Sequence, residues 1–236
     1  MRLLCHDISN PLTVISVSSF RLGASGGNQT PDHTSVHLQR IVKASTAIRE
    51  IIDSVLILER LQLKGGRLEV APTDLATTIT ETESLFHEAL QQKSVRLVKA
   101  VPPDLPLVLA DANILKSSVL ANILSNAIKF SAAGSTIELS AERNEHSVTL
   151  RVRDYGVGIP REQMAEFNQF GRIHSRPGTF DEQGTGLGLQ LILGCTSAMG
   201  GRMRLLSCND LMPTGGAGTM VEIILPSAPP VAALKT

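Results

Sequence analysis

Between Leu38 and Val55, apolar side chains return at alternating steps of three and four. They are Leu38, Ile41, Ile48, Ile52 and Val55, with Ser45 holding one slot. A period near 3.5 belongs to a helix whose seam faces other helices, and a strand cannot satisfy it. Cys5, Ile8, Leu12, Ile15 and Leu22 repeat the pattern, with Ser19 in the remaining slot. Ala44, Ile51 and Leu58 widen the second stripe. Between the two stripes lies Gly23-Ala24-Ser25-Gly26-Gly27-Asn28-Gln29-Thr30-Pro31, loop composition throughout. Residues 1–64 therefore read as a helical hairpin. Its seam is too wide for one hairpin to bury in water, so two copies closing a four-helix bundle are expected. Packing of the hairpin on the rest of its own chain is the alternative.

Gly65-Gly66 stops the second helix, and the pattern changes. Asp74, after Pro72 and Thr73, is placed to cap a helix over 74–92. Short strands are expected at 96–100 and 107–109, then a helix capped by Asp111 and running to Phe130. A hairpin follows, 136–143 with 148–153, joined by Asn144-Glu145-His146; the alternation Val148, Leu150, Val152 turns one face inward. After a glycine-rich turn, residues 161–183 read as a long irregular segment. A helix over 187–199 and strands at 202–207 and 219–225 close the pattern. The chain thus divides into the hairpin, 1–64, an α/β domain, 65–226, with a mixed sheet packed on helices, and a flexible tail, 227–236.

Composition narrows the function classes. Twenty-two basic residues balance 22 acidic ones, which argues against a chain built to grip a nucleic-acid backbone or an anionic membrane. Aromatics are 3% of the residues, too few for a base-stacking platform, while 42% hydrophobic residues suffice for an aliphatic core. Cys5, Cys195 and Cys208 form no CxxC pair and read as small packing residues in a reducing compartment. The opening residues carry Arg2, His6 and Asp7 and do not read as a secretory leader. The apolar run from Val55 to Leu58 is too short to span a bilayer. A cytoplasmic chain without direct membrane contact is expected, either whole or the cytoplasmic part of something larger.

Two glycine runs carry the chemistry. Asp154-Tyr155-Gly156-Val157-Gly158-Ile159-Pro160 follows a strand, and Gly184-Thr185-Gly186-Leu187-Gly188-Leu189 opens a helix. Glycines two apart let backbone N–H groups approach a ligand, and at a helix start they suit phosphate. Either run alone is compatible with an ordinary turn. A Walker-type GK[ST] is missing from the sequence. Asn122 and Asn126 lie four apart and share a helix face, with Lys129 next along it. Two carboxamide oxygens suit a hard cation such as Mg²⁺, and a lysine suits phosphate. An isolated pair of this kind reads equally well as solvent-facing amides.

In order along the chain, these residues resemble the ATP-binding domain of the histidine-kinase, gyrase and chaperone ATPase superfamily. Asn122-x-x-x-Asn126-x-x-Lys129 resembles its N box, and Asp154-x-Gly156-x-Gly158 its first glycine box. Phe167 with Phe170 resembles a relaxed F box, Gly184-x-Gly186-x-Gly188 the second glycine box, and Gly216-Ala217-Gly218-Thr219 the closing motif. Upstream, His6-Asp7-Ile8-Ser9-Asn10-Pro11 resembles the H box of sensor histidine kinases. Pro11 removes the N–H that would bond the Asp7 carbonyl and is expected to bend the helix beside His6.

The resemblance implies a protein histidine kinase of two-component signalling, possessing ATP and Mg²⁺ as cofactors. It implies a homodimer joined through the hairpin and a response-regulator receiver domain as partner. His6 would accept the γ-phosphoryl group, Asp7 would orient its imidazole, and Asn10 would position water for dephosphorylating the regulator. Asn122 and Asn126 would hold the metal and Lys129 would meet phosphate. Asp154 would read the adenine amino group, with Gly156, Gly158 and Phe130 beside the base. Gly184, Gly186, Leu187 and Gly188 would bind phosphates, and Thr219, of the closing motif, would belong to the nucleotide site. Residues 161–183 would form a lid, with Arg172 and Arg176 either meeting phosphate or merely solvated. A degenerate dimeric module that senses ATP or binds the regulator is the competing reading. Asn122, where hydrolysing relatives are expected to carry Glu, favours transfer over hydrolysis.

Overall fold

The computed structural model describes residues 2–24, 31–63, 68–171, 173, 178–179, 186–207 and 218–229. The chain divides into two compact units, Met1–Ile57 and Leu58–Thr236.

The first unit holds α1 (Arg2–Ala24) and most of α2 (Pro31–Leu63). The helix α1 runs through Pro11, which is buried. The unit buries mostly small or polar side chains: Ser18, His37, Ala44 and Ser54, with Ile51 the large apolar exception. Leu12, Leu38 and Ile52 of the sequence stripe are about half exposed, at 48%, 51% and 48%. The expected loop glycines Gly26 and Gly27, and the helix stop Gly65-Gly66, lie outside the described residues.

The second unit is an α/β sandwich. Its helices are α3 (Leu75–Leu85), α4 (His87–Gln92), α5 (Ala112–Ile114), α6 (Ala121–Phe130), α7 (Arg161–Phe170) and α8 (Gly188–Ala198). Its strands are β1 (Ala71–Thr73), β2 (Arg96–Ala100), β3 (Val108–Ala110), β4 (Thr136–Arg143), β5 (Ser147–Asp154), β6 (Arg202–Ser207) and β7 (Thr219–Pro226). β1 and β3 pair alone, and the other five form a sheet in the order β2-β4-β5-β7-β6. β2 is parallel to β4 and the remaining pairs are antiparallel, so the expected mixed sheet is present.

Sequence pattern explains the layers. Along β4, Ile137, Leu139 and Ala141 are buried, while Glu138 and Glu142 face solvent. Leu150, Val152, Ile223 and Leu225 extend that inner face. Leu75, Ile79, Leu115, Val119, Ile123, Leu124, Leu191 and Ile192 cover it from the helices. Each fully buried side chain of this size contributes about 1.5–3 kcal/mol. On the outer face Arg151 bridges Glu142 and Glu222, both at 2.8 Å, with Arg204 adding a longer contact to Glu222.

Several expectations are corrected. The helix expected over 74–92 is two helices, because Phe86 leaves helical geometry at φ −105°, ψ 5°. Asp74 does cap the first, accepting from the N–H groups of Ala76 and Thr77. Asp111 caps the next helical run, which reaches Phe130 through a π-helical stretch, Leu115–Leu120. The segment 161–183 is not irregular throughout. It begins with α7, started by Pro160, anchored by buried Met164 and Phe167, and stopped at Gly171 in left-handed geometry. β1 was not expected, since Pro72 sits in its centre. The tail starts later than expected: Ser227 bridges to Val108, and the Ala228 N–H donates to the Leu107 carbonyl at 2.7 Å. Residues 230–236 lie outside the described residues. No described helix is long and apolar enough to cross a membrane.

Candidate functional site

β5 ends on Asp154, whose side chain turns back into the protein and is 6% exposed. Its Oδ1 accepts from the N–H groups of Gly156, at 2.9 Å, and Thr219, at 3.2 Å. Oδ2 takes no hydrogen bond from a described residue. Burial pushes this carboxyl up to about 6, against the pull of those two N–H groups and the Arg153 charge. The result is a desolvated acceptor with one oxygen fixed and the other available.

The turn after Asp154 needs its glycines. A methyl added at Gly156 would lie 2.1 Å from the Phe130 carbonyl oxygen, inside any tolerable contact. Gly158 has φ +67°. The Val157 N–H points to the same Phe130 carbonyl at 3.4 Å. The carboxyl end of α6 and the first glycine run therefore meet at backbone level. Gly218 is equally constrained: a methyl there would come within 2.2 Å of the Asp154 carbonyl oxygen.

α6 supplies the amides. Asn122 donates through Nδ2 to the Ser118 carbonyl at 2.8 Å, which frees Oδ1 to face α8. A methyl added at Gly188, the first residue of α8, would sit 2.8 Å from Asn122 Oδ1 and 3.6 Å from Asn126 Nδ2. The second glycine run thus opens its helix directly against both asparagines. Among the described residues no group of three or more His, Cys, Asp or Glu could hold a metal. Asn122 presents a carboxamide oxygen here while Asn126 presents its Nδ2; a carboxamide oxygen suits Mg²⁺, an ion that takes few protein ligands and keeps water or phosphate oxygens.

Lys129 is 9% exposed, and its Nζ lies 4.9 Å from the centre of the Phe130 ring. Its carbonyl accepts from Lys93 Nζ at 2.8 Å and from the N–H of Thr179 at 3.0 Å. Thr179 Oγ1 also donates to the Ser131 carbonyl at 2.7 Å. The distal part of the expected lid is thereby tied to the end of α6.

Asn122, Asn126, Lys129 and Phe130 lie on α6, Asp154 ends β5, Gly156 and Gly158 lie in the turn after it, Gly186 and Leu187 lead into α8 at Gly188, and Thr219 opens β7. Gly184, Gly216, Arg172 and Arg176 lie outside the described residues, as does the side chain of Phe170. His6, Asp7 and Asn10 lie on α1, in the other unit. Asn10 is exposed, and the side chains of His6 and Asp7 are not described. Sequence reasoning missed Ser207, Lys93 and Thr179. Ser207 had a signal, being polar at an inward position of β6 after Met203 and Leu205. Lys93 and Thr179 had none, since their partners are carbonyls 36 and 50 residues away.

Residues 111–229 match the family described as histidine kinase-, DNA gyrase B- and HSP90-like ATPase. The adaptive-response sensory kinase SasA of Synechococcus elongatus is 30% identical over 87% of this chain and 54% of its own length. The histidine protein kinase DivJ of Caulobacter vibrioides is 28% identical over 99% of this chain and 38% of its own. The chain thus spans about half, or less, of the length of these relatives. Among solved structures, the Acinetobacter baumannii histidine kinase AdeS superposes with a TM-score of 0.71 at 18% identity. That likeness covers 95% of this chain and 98% of that one, and it establishes the shared fold.

Proposed function

The chain belongs to the family of histidine kinase-, DNA gyrase B- and HSP90-like ATPases, and on that premise we propose that it phosphorylates its own His6 from ATP and passes the group to an aspartate of a response-regulator receiver domain. The observation that carries the nucleotide half is Asp154, buried with Oδ2 available beside a turn only glycine can make. A carboxylate acceptor there selects adenine through its exocyclic amino group. The N–H groups at the start of α8 receive phosphate oxygens, favoured by the helix dipole. Asn122 and Asn126 would hold Mg²⁺ through their carboxamide oxygens, and the ion would supply charge neutralisation to the phosphates. Lys129 and Phe130 close the α6 side, and Thr219 fixes Asp154.

His6 is the nucleophile, since neutral imidazole is competent near neutral pH. A bond forms between an imidazole nitrogen and the γ-phosphorus while the bond to the bridging oxygen of ADP breaks. The imidazole proton passes to the Asp7 carboxylate. Attack by a receiver-domain aspartate then breaks the N–P bond and restores His6; in a separate hydrolysis Asn10 positions water against the phosphorylated regulator, releasing inorganic phosphate and the free aspartate. Two copies of the hairpin form the four-helix bundle, and the chain works in the cytoplasm, where ATP is available.

Incubation with γ-labelled ATP tests this. Acid-labile, base-stable label is expected on the wild-type chain and none on His6→Gln. Nucleotide binding without label on the wild-type chain would instead identify a non-catalytic ATP-sensing module.

A further inference from the structure

β6 alternates inward through Met203 and Leu205 and then ends on Ser207, which is 4% exposed. A hydroxyl sunk at an inward strand position is costly unless it is paired. This one is paired twice with a single residue. Its Oγ accepts from the Ile159 N–H at 2.8 Å and donates to the Ile159 carbonyl at 2.9 Å. One hydroxyl can do both, having one proton and free lone pairs.

Ile159 is the exit of the first glycine turn. It precedes Pro160, which has no N–H to offer, and α7 begins at Arg161. The turn's entry is held from other directions, by Asp154 Oδ1 on the Gly156 N–H and by the Phe130 carbonyl facing Val157. Strand register places Ser207 opposite Thr219, and Thr219 opposite Asp154. The three stand side by side on the same rim of the sheet. Two of the five residues between Asp154 and Pro160 are glycines, so the turn has unusual conformational freedom to lose.

We infer that Ser207 is a positioning residue for the nucleotide: by clamping both polar groups of Ile159, it holds the glycine turn in the one conformation that receives the base. The inference rests on the proposal that this turn receives adenine. Ser207 touches no ligand itself and acts through the Ile159 backbone. Loosening the clamp lets the turn adapt to other bases, so binding weakens and base discrimination weakens with it.

The test is calorimetric titration of the full chain with a non-hydrolysable ATP analogue and with its guanine counterpart. Ser207→Ala is expected to weaken the adenine nucleotide roughly tenfold, the scale of two lost hydrogen bonds, and to shrink the adenine-over-guanine ratio. Ser207→Thr, which keeps the hydroxyl, is expected to restore both. Thr82→Val is the control. It deletes another fully buried hydroxyl, bonded to the Thr78 carbonyl at 2.7 Å on α3, and should lower the melting temperature without altering either affinity. Equal affinities for wild type and Ser207→Ala would overturn the inference, as would an equal loss in Thr82→Val. If Ser207→Ala does not fold, Ser207→Cys serves, with weaker binding expected and unchanged binding contrary. A wild-type chain that binds no adenine nucleotide sinks the reading of the site itself, a separate result.

Discussion

Along α2, His37, Ala44 and Ile51 are buried, while their neighbours Leu38, Ser45 and Ile52 are exposed. Both sets repeat every seven residues, so the hairpin has two adjacent seams and buries only one. Val17, Phe20, Val36, Val42 and Leu56 add to the uncovered apolar surface. In the α/β unit the inward residues of β4, β5 and β7 meet helices, and Ile137, Ile192 and Ile223 are fully buried. The second unit buries a large aliphatic core within one chain, although Leu85, Val98 and Val157 stay exposed, whereas the first keeps an apolar face that the proposed second copy would cover. A large exposed apolar face on a helix pair marks an association surface rather than a finished fold.

The largest test of this contrast is in the hairpin. Leu38→Glu combined with Ile52→Glu removes four apolar side chains from the proposed dimer. At about 1.5 kcal/mol each, dimerisation should weaken by about four orders of magnitude. Sedimentation should report monomers, while nucleotide affinity stays within about twofold. Dimers that survive both charges would place the interface elsewhere.

Gly156→Ala works on the other unit. The added methyl meets the Phe130 carbonyl, so the turn must move. Strain of this kind costs about 1–3 kcal/mol, and nucleotide binding should fall by roughly 100-fold with the dimer intact. Unchanged affinity in calorimetry would mean that the base does not sit on this turn.

A smaller effect comes from Asp154, whose carboxyl sits at about 6 because it is buried. As pH falls through that value the free protein takes up a proton there, and the acceptor for the adenine amino group loses its charge. Affinity should drop roughly tenfold between about pH 7.5 and about pH 5. Stability of the free protein moves the opposite way. A carboxyl raised above its unfolded value of 3.8 contributes stability that is present below that value and lost as pH rises through about 6. Asp154→Asn should flatten both profiles, and an acid-insensitive affinity in the wild type would remove Asp154 from base recognition.

Local signals were legible where the physics is local. Asp74 and Asp111 cap helices because a carboxylate two or three residues upstream of open N–H groups needs no tertiary help. The β4–β5 hairpin follows from alternation and a polar turn. α7 was hidden because, among the described residues, Met164 and Phe167 are its only buried apolar side chains amid many polar ones, and Gly171 breaks the segment soon after. β1 was hidden because three residues around a proline carry no strand pattern, and only pairing with β3 makes them one.

In the candidate site, order and spacing singled out the glycine runs and both asparagines, and the family resemblance added the role of Asp154. What they could not supply were quantities that depend on neighbours distant in the chain. The burial that lifts Asp154, the Phe130 carbonyl that forbids a side chain at Gly156, and the Ser207 clamp on Ile159 all join segments brought together by the sheet. Sequence determined which residues are candidates for the chemistry, since periodicity and backbone freedom are properties of a few consecutive residues. Tertiary structure decided their ionisation and their rigidity, because desolvation and hydrogen-bond closure act through space, where chain distance has no meaning.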